Sequence, residues 1–183
     1  LEFLKKLSKE NNNCPILCAG DVFDYWKASP WLCSFAYKYL PEPFICIPGQ
    51  HDLPGHSLHE YLKSALGLMD SVGKVQVIKD WGNSVVWNNL FIVGVPFGKL
   101  DEFEPDKIDF PKEKRKILLL HALVWDERPA WSKSDCAANE LLERYGKYFD
   151  LLLTGDNHQR FVVIKNGSIL INPGSVMRIT ADQ

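Results

Sequence analysis

The sequence predicts an α/β protein in which two mixed β-sheets pack as a sandwich, with helices on the outer faces. Two observations predict this class. Continuous apolar runs recur along the chain, as in strands that are buried on both faces. Helices and strands alternate in the first half, whereas short strands and hairpins dominate the second half. The 183 residues suit a single domain, and an apolar content of 46% can form a substantial core.

The first half alternates helical and strand patterns, which favours a parallel sheet. Ser29 before Pro30 is a typical helix start, because the serine can accept a backbone N–H and proline has no N–H to leave unpaired. Ser57 and Glu60 predict a capping box, and Gly67 the end of the helix that follows. The predicted elements are a helix at 2–10, a strand at 16–19, a helix at 30–40, a strand at 44–47 and a helix at 58–66.

The second half mixes strands with tight turns. Asn88-Asn89 predicts a short turn, and Asn166-Gly167 predicts a type I′ hairpin. Residues 99–116 are polar and charged, and a solvated connecting loop is favoured there over a partner-binding segment. The predicted elements are strands at 75–78, 84–87, 90–95, 117–121, 151–154, 161–164 and 168–171, and a helix at 139–145 that Gly146 closes.

Composition narrows the range of partners and compartments. A net charge of −2 makes no whole-protein case for a nucleic-acid or membrane partner, although a local basic groove stays possible. No apolar stretch approaches the length of a membrane span, and no signal peptide is visible. The five cysteines include no C-x-x-C pair, which favours reduced thiols. We therefore expect a cytoplasmic protein without membrane association.

Four predicted strands end on side chains that bind metal ions well. Ligands of open α/β sheets lie just beyond the carboxyl ends of the strands, so these four places are expected to converge. The candidates are Asp21 and Asp24 after the first strand, Gln50, His51 and Asp52 after the second, His121 at the end of a third, and Asp156 and His158 after a fourth.

The chemistry of this set favours divalent cations. The carboxylate of Asp21 can bridge two ions, which in two-metal phosphoryl-transfer sites lie roughly 3.5–4 Å apart. Mixed oxygen and nitrogen ligands indicate manganese, iron, zinc or magnesium rather than a thiolate site. The imidazole of His51 can stabilise phosphoryl oxygens or protonate a leaving group, and Asp52 can orient it.

The order of these motifs resembles that of the calcineurin-like metallophosphoesterases. The motifs are G-D-x-x-D at 20–24, G-x-H-D at 49–52, the strand-ending His121 and G-x-x-H at 155–158. The resemblance implies a four-layer sandwich fold and a dinuclear site, with manganese as the first choice and a metal-bound water as nucleophile. It also implies roles for single residues: Asp21 bridges the metals, His158 completes the first metal, Gln50, His121 and Asp156 complete the second, and His51 is the catalytic histidine.

Two segments are most similar to the SbcD/Mre-type recombination nucleases and related phage proteins. These are Pro48–Pro54 and Asn172–Arg178. The resemblance implies a nuclease that cleaves phosphodiester bonds in DNA, with an ATPase partner or a homodimer as possible assemblies. A phosphatase or phosphodiesterase for small molecules or phosphoproteins is the first alternative.

Three departures from the family pattern bear on activity. The family begins with a strand that ends in D-x-H. Here no D-x-H precedes the motif at 20–24, and the D-x-H at 156–158 belongs to the fourth motif, so a domain that lacks its first strand is expected. Gln50 replaces the usual asparagine, and Asp156 replaces the usual histidine; both substitutions keep a competent ligand atom. The absent D-x-H motivates a further alternative, a catalytically inactive binding module.

Several other residues have two interpretations. Trp26, Trp125 and Trp131 could stack on bases, but core or loop packing is favoured. His56 and His59 are expected to be surface or capping residues rather than metal ligands. Asp24 is either a supporting residue of the site or a helix cap, and Ser175 is a weak candidate for substrate contact.

Overall fold

The computed structural model describes residues 1–127, 129–130, 132 and 136–176, and it confirms the α/β class. Short 3₁₀ helices lie at Pro54–His56, Leu58–Lys63 and Pro105–Lys107. The α-helices are α1 (Glu2–Glu10), α2 (Pro30–Tyr39), α3 (Ala65–Ser71) and α4 (Ala138–Tyr145), and the strands are β1 (Ile16–Cys18), β2 (Phe44–Cys46), β3 (Gln76–Val77), β4 (Val85–Trp87), β5 (Leu90–Val95), β6 (Arg115–His121), β7 (Val124–Trp125), β8 (Cys136–Ala137), β9 (Leu151–Gly155), β10 (Phe161–Lys165) and β11 (Ser168–Asn172).

The strands form one large mixed sheet and two smaller sheets. The six-stranded sheet has the order β10-β11-β9-β6-β5-β4, in which the four inner strands are parallel and the two edge strands are antiparallel to their neighbours. The sheet β1-β2-β3 is wholly parallel, so the prediction that both sheets are mixed is wrong for this one. Helical segments connect its strands and return the chain to the same end each time, which gives parallel pairing. Strands β7 and β8 form a separate parallel pair.

Alternate residues of β6 face two different apolar clusters, as the two-residue period of a strand requires. Leu118 and Leu120 lie in the cluster that contains α4 side chains. Ile117 and Leu119 lie in a cluster that also contains Ile45 of β2, so the large sheet and the three-stranded sheet share this cluster. A third cluster joins the three-stranded sheet to α2 and α3. The four-residue apolar run that ends on His121 is therefore buried on both sides.

The predicted capping box at Ser57 is wrong. Residues 58–63 form a 3₁₀ helix, and Ser57 makes no side-chain cap. The α-helix begins after Ser64, whose Oγ accepts the backbone N–H of Gly67 at 3.0 Å. Gly67 lies inside α3 rather than at its end. A larger residue would not fit at this position, because its Cβ would come within 2.4 Å of the carbonyl oxygen of Tyr61. Close packing at Gly67 thus overrides the local signal.

The segment at 99–116 is more than the solvated connector that we expected. Its charged residues are mostly exposed, but Phe103 is only 2% exposed. The ring of Phe110 packs on Phe91 and Phe149, with centroids 5.9 and 5.3 Å apart. Strand β6 also begins inside this segment, at Arg115. Aromatic side chains spaced along the segment pack into the core, and these contacts fix the conformation of its backbone.

Other local signals are confirmed. Ser29 caps α2 by accepting the N–H of Leu32 at 3.2 Å. Asn166 and Gly167 both have positive φ, 52° and 84°, as a type I′ hairpin requires. Among the described residues, every helix is too short or too polar to cross a bilayer.

Candidate metal centre

The carboxyl ends of β1, β2, β6 and β9 bring together Asp21, Gln50, His121 and Asp156. His121 Nε2 lies 3.5 Å from Asp21 Oδ2 and in short contact with Gln50 Oε1. Gln50 Nε2 donates to Asp156 Oδ1 at 2.8 Å. One ligand atom each from Asp21, His121 and Asp156 lies within 4.8 Å of the other two. Side chains that are far apart in the chain therefore meet where the carboxyl ends of strands from two sheets come together, β1 and β2 from the three-stranded sheet and β6 and β9 from the six-stranded sheet.

The imidazole of His121 is held with one nitrogen toward the protein and the other toward the carboxylates. The residue is 2% exposed. Its Nδ1 lies 2.6 Å from the carbonyl oxygen of Ala19, which can only accept a hydrogen bond, so Nδ1 carries the proton. This arrangement leaves Nε2 as the atom available to a cation, and an Nδ1–H bonded to a backbone carbonyl is typical of metal-ligating histidines.

Gln50 lies between two acceptors, and neither orientation of its amide satisfies both. In the present orientation its oxygen faces His121 Nε2, and its nitrogen faces Asp156. If the amide is turned, its oxygen faces the Asp156 carboxylate instead. Either way two acceptor atoms meet unless a proton or a cation lies between them. A cavity in which acceptors converge is suited to a positive ion.

The two carboxylates add uncompensated negative charge to this cavity. Among the described residues, no lysine or arginine nitrogen lies within 4.0 Å of Asp21 or Asp156. Both residues also have positive φ, 52° for Asp21 and 84° for Asp156. Residues other than glycine adopt this backbone conformation rarely, and those that do are often found at functional sites. The charge and the backbone conformation both indicate a ligand-binding site.

Three glycines let the site loops approach each other closely. A Cβ on Gly20 would lie 2.0 Å from His121 Nδ1, and a Cβ on Gly49 would lie 2.1 Å from Asp21 Oδ1. A Cβ on Gly155 would lie 2.2 Å from the carbonyl oxygen of Ala19, the partner of His121. In three of the four motifs, the leading glycine is therefore required by contact with another part of the site, in addition to any turn that it permits.

Asp52 connects the loops after β1 and β2. Its fully buried carboxylate accepts three backbone N–H groups, from Val22 at 3.1 Å, Phe23 at 3.0 Å and Gly49 at 3.1 Å. Burial raises the pKa of Asp52 to about 6, and the hydrogen bonds from Phe23 and Gly49 oppose this rise. These bonds fix the two loops that carry Asp21 and Gln50. The orientation of His51 by Asp52 stays a prediction.

A second clamp, which the sequence analysis missed, holds the loop after β9. Asn172 is fully buried, and its Nδ2 donates to the carbonyl oxygens of Asn157 and Gln159 at 2.7 and 2.6 Å. Its Oδ1 accepts from Thr154 Oγ1 at 3.1 Å. Asn157 in turn donates to the carbonyl oxygen of Val124 at 2.7 Å. The only sequence signal for this clamp was the N-P-G-S segment that starts at Asn172.

The predicted residues His51 and His158 lie on the outer side of the site. Both are exposed, and neither belongs to the compact group of Asp21, His121 and Asp156 found among the described residues. The backbone N–H of His51 donates to Asp21 Oδ1 at 2.9 Å, which places this residue beside the carboxylate. The backbone carbonyl of His158 accepts the N–H of Ser175 at 3.3 Å. Their predicted roles as catalytic and ligating residues stay predictions.

The remaining candidates contribute less. Asp24 is exposed. Trp26 packs on Tyr25 and its carbonyl oxygen accepts the N–H of Ala65, while Trp125 is half-buried in β7. Two predictions lie outside the described residues: the base-stacking role of Trp131 and the end of the nuclease-like segment at 177–178.

The donor set fits a divalent cation. Two carboxylates, one amide oxygen and one imidazole nitrogen with its proton on the far side are ligands that manganese, iron, zinc and magnesium accept. Among the described residues, no other group of three or more His, Cys, Asp or Glu side chains has this geometry. The structure therefore contains one candidate metal centre in the part of the chain that it describes.

Comparisons with known proteins bear on the fold and the family of the chain. The TT1561 protein of Thermus thermophilus has a similar fold, with a TM-score of 0.59 and 18% identity over 94% of this chain and 82% of that chain. A candidate 5'-nucleotidase from Staphylococcus aureus, solved in complex with alpha-ketoglutarate, aligns with a TM-score of 0.46 and 11% identity over 81% of this chain and 35% of that chain. No curated protein sequence matches the chain significantly. The profile of the calcineurin-like phosphoesterases matches residues 1–160, and the chain therefore belongs to this family of hydrolases that act on ester bonds.

Proposed function

We propose that this chain is a metal-dependent phosphodiesterase that cleaves DNA, in the manner of the SbcD/Mre-type nucleases. The observation that carries the proposal is the convergence of four acceptor groups, from Asp21, Gln50, His121 and Asp156, at the carboxyl ends of strands from two sheets. Acceptor atoms that face one another repel unless a cation or a proton lies between them. Hydrolysis of a phosphoester is the chemistry of the family to which the chain belongs.

The residues divide the work of binding and orientation. Asp21, Gln50, His121 and Asp156 would hold a divalent ion, with manganese as our first choice, and His158 would help Asp21 to hold a second one. When bound, such ions polarise a phosphoryl oxygen as Lewis acids and lower the pKa of a bound water molecule to about 7. The contact between His121 Nδ1 and Ala19 orients the imidazole before any ion arrives.

His51 would act on the substrate itself. Its backbone is tied to Asp21, and its side chain is exposed at the mouth of the site. From there the imidazole can donate a hydrogen bond to a phosphoryl oxygen, or a proton to the leaving alkoxide as the P–O bond breaks. Asp52 holds the loop that carries His51, and this fixes the distance between His51 and the acceptor groups.

The larger setting of the site is part of the proposal. We propose that residues 1–183 form one domain in which the two larger sheets pack face to face with helices outside, as their shared apolar cluster supports. DNA would be the substrate, an ATPase or a second copy of the chain a partner, and the cytoplasm the compartment. The nuclease assignment is supported by the segments at 48–54 and 172–178 alone.

A substrate comparison tests the proposed function. We expect the protein with manganese to hydrolyse bis(p-nitrophenyl) phosphate and linear DNA faster than p-nitrophenyl phosphate. Asp156→Asn should abolish this activity, whereas Asp80→Asn, at an exposed turn, should not. Cleavage of the monoester with intact DNA would favour a phosphatase. Absence of all hydrolysis would favour a binding module.

A further inference from the structure

A pair of rings beside the candidate metal centre is not used by the chemistry described above. Phe97 follows β5, and its ring centroid lies 6.2 Å from the ring of His121, at an interplanar angle of 69°. The other neighbour of Phe97 is His56, whose ring centroid lies 5.8 Å away at 50°. Phe97 thus connects the buried imidazole of the metal centre to an exposed imidazole at the surface.

Both rings are held in place by the backbone. The N–H of Phe97 donates to the carbonyl oxygen of Pro48 at 3.1 Å, directly before the loop that carries Gln50. His56 has a φ of +58°, in the left-handed region, and its N–H donates to the carbonyl oxygen of Leu53 at 3.1 Å. Leu53 and Pro54 are buried, so the turn is anchored while the imidazole stays exposed.

The left-handed backbone conformation of His56 helps to fix where its imidazole lies. A non-glycine residue with positive φ is retained where the surroundings enforce it, and such residues are concentrated at ligand-binding sites. The buried Leu53 and Pro54 fix the turn, and this holds the imidazole of His56 at the surface beside Phe97. An exposed imidazole face next to a phenyl ring is a surface on which an unstacked base can stack.

We propose that His56 and Phe97 form a subsite for the nucleotide next to the scissile phosphodiester bond, with the base stacked on the imidazole of His56. The proposal rests on the proposed phosphodiesterase function. The ring of Phe97 lies between the two imidazoles, with centroids 5.8 Å from His56 and 6.2 Å from His121. A nucleoside places its base one sugar beyond the phosphate, whereas a nitrophenyl ring is attached to the phosphate oxygen directly, so the subsite is expected to favour the base. The subsite therefore selects nucleotide diesters by binding.

The first test compares two substrates in matched variants. His56→Ala removes the stacking ring, and His59→Ala removes an exposed histidine from the neighbouring 3₁₀ helix. We expect kcat/KM for a thymidine dinucleotide, relative to that for bis(p-nitrophenyl) phosphate, to fall about tenfold in His56→Ala, mainly through KM. The ratio should not change in His59→Ala. An unchanged ratio in His56→Ala, or an equal fall in both variants, would overturn the subsite.

The second test does not depend on turnover. Binding of fluorescein-labelled pentathymidylate, measured by anisotropy with Ca²⁺ present, should weaken about tenfold in His56→Ala and stay the same in His59→Ala. If the wild-type protein binds this probe through His56 but cleaves no diester, the proposed function fails, and His56 is a base-binding residue but not part of a subsite beside a scissile bond. If it cleaves diesters but His56→Ala changes neither the ratio nor the Kd, the subsite fails. Absence of both binding and dinucleotide cleavage overturns the subsite as well.

Discussion

The inner and outer sides of the candidate metal centre are built differently. On the inner side, His121 is buried and contacts Ala19, Gln50 and Asp21 at once. On the outer side, His51 and His158 are exposed and lie outside the compact group of possible ligands. The inner side is fixed by the fold before a ligand binds, whereas the outer side presents side chains to whatever enters.

The same difference is found within the single motif at 50–52. In the segment 50–52, Gln50 and Asp52 point into the protein and fix loops, and His51 between them is exposed. The segment is a turn, closed by the N–H of Leu53 donating to the carbonyl oxygen of Gln50 at 3.3 Å, and it leaves the middle residue at the surface. A three-residue motif can therefore face the acceptor groups with one side chain and the substrate with another. Variants on the two sides should therefore fail in different ways.

Loss of His121 should have the largest effect. Because its Nε2 faces the carboxylates and its Nδ1 is already bonded to Ala19, His121→Ala removes both a ligand and an orienting contact. We expect manganese to be lost and hydrolysis of bis(p-nitrophenyl) phosphate to fall by at least about 10³-fold, since a Lewis-acid metal contributes several kcal/mol. Metal content by mass spectrometry and the hydrolysis rate check this. Retained manganese with a near-normal rate would contradict the inner side as a metal centre.

Loss of His51 should lower the rate without removing metal. The side chain is exposed and only its backbone contacts Asp21, so His51→Ala leaves the acceptor groups in place. General acid–base catalysis accounts for about 10²–10⁴-fold in rate, and we expect a fall of about 10²–10³-fold. Metal content should stay near that of wild type. If manganese is lost together with activity, His51 is a ligand and the comparison of the two sides is wrong.

The strand-end residues were predictable because strand polarity determines where they must lie. A continuous apolar run indicates a buried parallel strand, and the residue after it is placed at the ligand-binding edge. This reasoning brought Asp21, Gln50, His121 and Asp156 together without any distance information. It does not distinguish the inner from the outer side, since His51 and His158 satisfy the same rule.

The supporting contacts were not predictable from residue types. A backbone carbonyl such as that of Ala19 has no sequence signature, because every residue carries one. The amide of Asn172 reaches the loop after β9 only through the β9–β11 pairing, which is a tertiary feature. The helix start at Ser57 failed for a related reason, since packing between Gly67 and Tyr61 determined where the helix forms.

A glycine comparison sharpens the claim that the inner side is fixed by close approach. Gly20 and Gly98 both have positive φ, 103° and 74°, but only at Gly20 would a Cβ meet a neighbour, His121 Nδ1 at 2.0 Å. Gly98→Ala should cost only the backbone strain, about 1 kcal/mol. Gly20→Ala should cost about 1–3 kcal/mol more, through the displacement of His121, and should weaken manganese binding. Urea unfolding and metal titration of both variants check this, and equal effects would show that turn geometry alone requires the glycine.

The smallest effect is expected at Asp52, whose role in the structure is to join loops. In the wild-type protein the Asp52 carboxylate accepts hydrogen bonds from the backbone N–H groups of Val22, Phe23 and Gly49. Asp52→Asn places an amide N–H₂, itself a donor, against one or two of these N–H groups. The neutral amide also relieves the burial cost that raises the pKa of Asp52, so the net loss should be modest, about 1–2 kcal/mol.

Urea unfolding of Asp52→Asn should show this loss, whereas Asp80→Asn, at an exposed turn with one such bond to Gly82, should change stability by less than about 0.5 kcal/mol. Because the loops after β1 and β2 both depend on Asp52, its variant should weaken manganese binding as well as lower the rate. A variant that keeps its stability and its metal but loses activity would move Asp52 to the outer side, as a partner of His51, and the division drawn here would have to be revised.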